Sequence, residues 1–270
     1  MSDHAIQLET PRDYNTFSDN NINNYFKCPS KYVRVFLAES FGMYLFILLS
    51  LGNVATFALY PESKLTWDGL SISWGLNLMF GVYVASFNSN AHLNPAVSLC
   101  MYLYNKSING FELALYTAAQ LFGAFLAAAT VYGIYFNRLG DDDGYSGVFV
   151  TYKNPSITLT AAFFTEFLGT ALLAGGIFAL CDHKSTKDHL PVYVGLLLTT
   201  LNYAFGFPTA FSWNPARDFG PRVFTALVGY NSFSYMDHYF WIKSLLSFAA
   251  KKGRKDIMEF IIEDWGFENF

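Results

Sequence analysis

The chain has 270 residues, of which 53% are hydrophobic and 19% aromatic, against only 14% charged. That balance lies far from the soluble average. The formal net charge of −4 is too small to name a partner, and no nucleic-acid partner is expected. Five apolar stretches are long enough to cross a bilayer core of ~30 Å, which takes about 20 helical residues, so the expectation is an all-α, multi-pass membrane protein.

In chain order, residues 1–30 are polar and Asn-rich and read as a disordered cytosolic tail with no cleavable signal peptide. The apolar stretches follow at Val35–Tyr60, Gly69–Phe87, Phe111–Phe136, Ile157–Cys181 and Leu190–Phe211. Lys27, Lys31 and Arg34 precede the first of them, Lys106 follows the second, and Lys184 and Lys187 separate the fourth from the fifth. Lys and Arg mark the cytoplasmic side, so the N-terminus and the loops at 88–110 and 182–189 are expected inside. The 137–156 connection carries Asp141, Asp142 and Asp143 and is expected outside. Cys28, Cys100 and Cys181 show no paired spacing and are read as small buried hydrophobes, without a disulfide.

A repeat organises these segments. Asn94-Pro95-Ala96 recurs as Asn214-Pro215-Ala216, and Glu39-Ser40-Phe41-Gly42 in the first stretch recurs as Glu166-Phe167-Leu168-Gly169 in the fourth. Each unit therefore has a Glu-x-x-Gly helix early and an Asn-Pro-Ala half-helix late, an arrangement that suggests a transporter or channel with its site at the repeat interface. The units are 31–136 and 157–242, with 137–156 between them. Asn is a favoured N-cap, and Pro is favoured at the first helical position, where no N–H is required. In an inverted repeat the two half-helices meet near the midplane with their positive ends facing. Each Asn then accepts a backbone N–H through its carboxamide oxygen and offers its NH₂ to the lumen. Such a site donates hydrogen bonds, suits a hydroxyl oxygen and repels cations. Irregular backbone at that depth is tolerated only where it lines a cavity.

Residues 31–240 resemble the major intrinsic protein family, the aquaporins and aquaglyceroporins. The likeness rests on Ala91-His92-Leu93-Asn94-Pro95-Ala96-Val97, on Asn214-Pro215-Ala216-Arg217-Asp218-Phe219-Gly220-Pro221-Arg222, and on Ala119-Gln120-Leu121-Phe122-Gly123-Ala124 in the third helix. It implies an aquaporin-like inverted repeat and a passive channel for glycerol and water, presumed by resemblance to be a homotetramer in the plasma membrane. An Arg in a membrane segment reads as functional by default, and the resemblance makes Arg217 the arginine of a narrow outer constriction. Trp74 and Phe211 match the glycerol-facilitator pattern, in which the two aromatics face the carbon backbone of a polyol. An amphipathic polyol needs such an apolar wall opposite a set of donors. Asn202 falls at the fifth-helix position of the constriction, where glycerol facilitators usually carry Gly, and is expected to narrow the pore or add a polar contact. Asp218 and Arg222, also glyceroporin-like, are expected to position a loop through an ion pair. By the same resemblance, Glu39 and Glu166 brace the half-helix loops as hydrogen-bond acceptors, and His92 bonds within its own loop.

The family pattern breaks near the end. After Ile242 the chain reads KSLLSFAAKKGRKDIMEFIIEDWGFENF, too short an apolar run for a sixth spanning helix. Residues 243–270 are therefore an atypical tail, and the sequence leaves an alternative: a non-conducting truncated relative, from an altered frame or a retained intron, with at most a regulatory role. An enzyme is not expected. No Walker A, G-x-G-x-x-G, H-E-x-x-H or G-x-S-x-G motif occurs and the five His are scattered, so no catalytic residue, metal site or cofactor is assigned.

Overall fold

The computed structural model describes residues 30–139, 143–182 and 184–233. Every regular element among them is helical: α1 (Lys31–Leu59), α2 (Trp67–Ala85), α3 (Pro95–Cys100), α4 (Gly110–Leu139), α5 (Leu159–Asp182), α6 (Leu190–Phe205) and α7 (Pro215–Leu227), with short 3₁₀ turns between some of them. A π-helical turn, Met101–Asn105, extends α3. The expected tail at 1–30, apart from Ser30, and the shortened sixth helix with the tail at 243–270 lie outside the described residues.

All five apolar stretches are helical over most of their length. Three helices, α1, α4 and α5, are long and apolar enough on their own to cross a bilayer. The other two differ for identifiable reasons. α2 carries Ser71 and Asn77, both buried, and Asn77 Nδ2 donates to Ser50 Oγ on α1 at 3.2 Å, so part of its polarity is turned inward. α6 stops at Phe205, six residues before the apolar run ends at Phe211. There Ala210 and Phe211 adopt left-handed backbone conformations, with φ of 57° and 52°, and turn the chain into the second half-helix.

Local sequence explains the helix starts. Thr66 caps α2, accepting from Gly69 N at 3.3 Å. Asn109 and Glu112 form a reciprocal capping box at the start of α4, each accepting the other's backbone N–H at 2.9 Å. Lys31 at the start of α1 then reaches Glu112 Oε1 at 2.7 Å and ties the two helices together.

Packing follows from small residues at crossings, the usual device where lipid removes the hydrophobic drive between helices. α2 and α6 meet at Gly75 and Gly195. A Cβ on Gly195 would lie 2.6 Å from Gly75 O, and a Cβ on Gly75 would overlap Gly195 O, so neither position admits a side chain. α4 packs on both α1 and α7, and one continuous core runs from Met43 and Phe46 through Trp74 and Leu93 to Phe211 and Trp213. The two half-helices α3 and α7 touch inside this frame.

Candidate functional site

The two Asn-Pro-Ala segments cap themselves and hold each other. Asn94 Oδ1 accepts from Ala96 N at 2.9 Å, and Asn214 Oδ1 accepts from Ala216 N at 3.1 Å and Arg217 N at 3.3 Å. Their amides cross over: Asn94 Nδ2 donates to Trp213 O at 2.9 Å, and Asn214 Nδ2 donates to Leu93 O at 2.7 Å. One proton of each NH₂ thus joins the two loops. The sequence reading had sent the NH₂ to the lumen alone; the second proton is what remains for it. Both Asn line a central cavity together with Trp74, His92, Phe211 and Arg217.

Each loop enters its Asn through left-handed backbone at non-glycine residues, Ala91 (φ 50°) and Leu93 (φ 47°) in the first, Ala210 (φ 57°) and Phe211 (φ 52°) in the second. Such conformations cost of order 1–3 kcal/mol each and persist only where the surroundings over-determine them. Around the first loop the surroundings are a carboxylate network. Buried Glu39 accepts from His92 N (3.0 Å) and Ser89 Oγ (2.7 Å) on one oxygen, and from Leu93 N (2.9 Å) and Gln120 Nε2 (2.8 Å) on the other. Gln120 also donates to Ser98 Oγ at 3.0 Å, and His92 Nδ1 lies 3.1 Å from the same hydroxyl. The His92 ring lies against Tyr116, with centroids 4.5 Å apart. Glu166 is buried at the matching place in α5.

The second loop is tied by Asn154 N, which donates to Pro208 O at 2.8 Å, and by Ala210 N, which donates to Gly206 O at 2.8 Å, while an ion pair fastens the half-helix that follows it to the 137–156 connection. Asp218 and Arg222, one turn apart on α7, are both buried, with Arg222 Nε 2.9 Å from Asp218 Oδ2. Asp218 Oδ1 also accepts from Thr151 N at 2.9 Å and Thr151 Oγ1 at 2.7 Å, and Arg222 donates to the carbonyls of Thr151 and Ser232. A buried pair with its remaining lone pairs and protons satisfied in this way holds a geometry rather than supplying much net stability.

Arg217, 3% exposed, sits over the indole of Trp74 with Cζ 4.6 Å from the ring centroid. It donates through Nη1 to Phe149 O at 2.9 Å, while its Nε has no protein partner among the described residues. The Phe211 ring lies 5.8 Å from that of Trp74 and stacks on Trp67 at 4.7 Å. Two aromatic rings and a guanidinium therefore border one cavity, with the guanidinium lying against the Trp74 ring.

Asn202 is packed between helices. Its side chain is fully buried away from the cavity, with Nδ2 3.4 Å from Ser71 O on α2, because the face of α6 that carries it is the face packed on α2. Other contributors had no signature in the sequence. Phe149 and Thr151 act largely through backbone atoms of the 137–156 connection, and Trp67 acts only by standing behind Phe211. The family pattern around Gln120 carries no hint of its bonds to Glu39 and Ser98. Cys100 and Cys181 form no disulfide.

Comparison with known proteins agrees with this geometry. The model of the major intrinsic protein family matches residues 28–246. The chain is 36% identical to aquaglyceroporin-2 of Rhizophagus irregularis over 220 residues, covering 76% of this chain and 69% of that protein. It is 34% identical to the glycerol uptake facilitator protein of Escherichia coli K12 over 215 residues, covering 74% of this chain and 76% of the facilitator. In three dimensions it is similar to the aquaglyceroporin of Plasmodium falciparum, with a TM-score of 0.75 at 32% identity, covering 86% of this chain and 96% of that one. The cross-bonded caps and the extent of these matches lead to one conclusion: this chain is a membrane protein that belongs to the major intrinsic protein family.

Proposed function

We propose that this chain is a passive channel for glycerol, with water as a second permeant. The observation that carries the reading is the meeting of Arg217, Trp74 and Phe211 on the cavity that both Asn-Pro-Ala caps line. A glycerol molecule passing there turns its carbons to the two rings and its hydroxyls to the guanidinium and the Asn amides. Its lost hydration is replaced by fixed donors, which is the general basis of pore selectivity. The same donors, with the Arg217 charge, oppose cations and protons. The relatives named for glycerol transport support the choice of permeant.

In this reading Asn94, Pro95, Ala96, Asn214, Pro215 and Ala216 form the middle of the pore. Glu39, Glu166, His92, Asp218 and Arg222 hold its loops. The chain works in the plasma membrane as a homotetramer with a cytosolic N-terminus, its repeats being 31–136 and 157–242 and the 137–156 connection lying outside.

Proteoliposomes test the reading. Vesicles carrying the full chain are expected to swell in glycerol faster than protein-free vesicles and no faster in sorbitol. Swelling in glycerol at the protein-free rate would remove the channel.

A further inference from the structure

Phe211 borders the cavity, but two residues that do not border it fix where its ring lies. The first is Gly206, the residue that ends α6. Its backbone is ordinary right-handed helix, φ −76° and ψ −31°, so nothing in its conformation demands glycine. What demands it is the ring: a Cβ on Gly206 would overlap Cδ1 and Cε1 of Phe211, and would lie 2.5 Å from Asn202 O. The second is Trp67, at the start of α2, stacked on the Phe211 ring at 4.7 Å with 29° between the planes. Trp67 is itself held edge-on by Phe207 at 5.3 Å.

Phe211 also has left-handed backbone, φ 52°, which is unfavourable for a bulky residue. Such a conformation persists only where the surroundings over-determine it, and Gly206 and Trp67 are two of the groups packed against this residue. The ring also borders the cavity, so a push from Gly206 or a gap at Trp67 changes how far it projects there.

We propose that Gly206 and Trp67 are specificity-determining positioning residues: they form a second layer behind Phe211 and set how far its ring projects into the lumen. The inference rests on the channel reading above and extends it from the wall to what places the wall. A methyl group at 206 drives the ring inward and narrows the passage to carbon-bearing permeants more than to water. Trimming Trp67 removes the backstop and lets the ring retreat, which admits longer polyols. Shape changes of about one methylene in an apolar pocket shift discrimination by roughly tenfold or more, so the effects are measurable.

The test uses the full chain in proteoliposomes, with permeabilities divided by the amount of reconstituted protein. Gly206→Ala is expected to lower the ratio of glycerol to water permeability roughly tenfold. Trp67→Leu is expected to lower the discrimination of glycerol against sorbitol. Both shifts should vanish when introduced beside Phe211→Ala, because residues that act through one partner are non-additive with its removal. Loss of packing alone would not follow that pattern. If Gly206→Ala fails to insert, Trp67→Leu with and without Phe211→Ala decides the matter. Wild-type ratios in the inserted variants, or effects that add in full to Phe211→Ala, would overturn the proposal while a glycerol-permeable wild type left the channel reading standing. A wild type that does not swell in glycerol would remove the channel reading and this inference with it.

Discussion

The two Asn-Pro-Ala segments share one local chemistry and differ in nearly everything around it. Each Asn caps its own helix and donates to the carbonyl just before the other Asn. Yet α3 has six residues and α7 has thirteen. The residue after the first triplet is Val97 and after the second Arg217, both buried and both lining the cavity. The first loop is held by a single carboxylate gathering backbone and side-chain donors, whereas behind the second a buried ion pair fastens α7 itself to Thr151. The comparison teaches that the repeat supplies the scaffold of the lumen while departures from the repeat supply its chemistry. A symmetric pair of loops would have made two Val or two Arg rings, one without a discriminating donor and one with two neighbouring buried cations.

The sharpest way to break that comparison is to remove one partner of the ion pair. Arg222→Ala leaves Asp218 buried without its cation, a loss expected to cost about 3–5 kcal/mol, seen as a large fall in thermal stability in detergent. Glu39→Gln acts on the other loop more gently. It keeps one acceptor and turns another into a donor facing donors, at roughly 1–3 kcal/mol, and the same melting experiment should rank it below Arg222→Ala. The reverse order would mean that the Glu39 network, and not the ion pair of α7, is the costlier of the two to disturb.

Substitutions at the wall come next and are read through selectivity. Trp74→Ala or Phe211→Ala is expected to change the discrimination between glycerol and longer polyols several-fold; both rings are buried, so stability falls too, and the ratio of permeabilities in reconstituted protein is what decides. Unaltered discrimination in both would mean that these rings are not the apolar wall. The smallest effect belongs to His92→Ala. Ser98 keeps its bonds to Asn94 O and Gln120, so the loss is about 1 kcal/mol, visible as a minor shift in melting temperature with glycerol flux retained.

Much of this was legible because it is local. Asn-Pro announces a capped helix in any context, and a Glu inside an apolar run must find donors, so Asn94, Asn214 and Glu39 carried their roles in their own sequence neighbourhoods. Arg217 was legible for the same reason, as a charge that has no place in lipid. What escaped was contact between distant segments and contact through backbone. Phe149 holds Arg217 with a carbonyl, which every residue possesses and none advertises. Trp67 and Gly206 matter only once α6 ends at Phe205, and the apolar run continues past that point without a break in pattern. For Asn202, spacing along a motif gives a position in the chain but not the face of α6, which the Gly75–Gly195 contact decides.

The central claim, that Arg217 and the two rings form the filter of a glycerol path, is tested most directly in one preparation. Glycerol swelling and proton leak are measured side by side for vesicles carrying the wild type and Arg217→Val, which makes the second segment like the first. The account predicts glycerol swelling in the wild type without proton leak above that of protein-free vesicles, and a clear proton leak in Arg217→Val with glycerol swelling retained. A wild type that swells no faster than protein-free vesicles, or an Arg217→Val protein as proton-tight as the wild type, would contradict it.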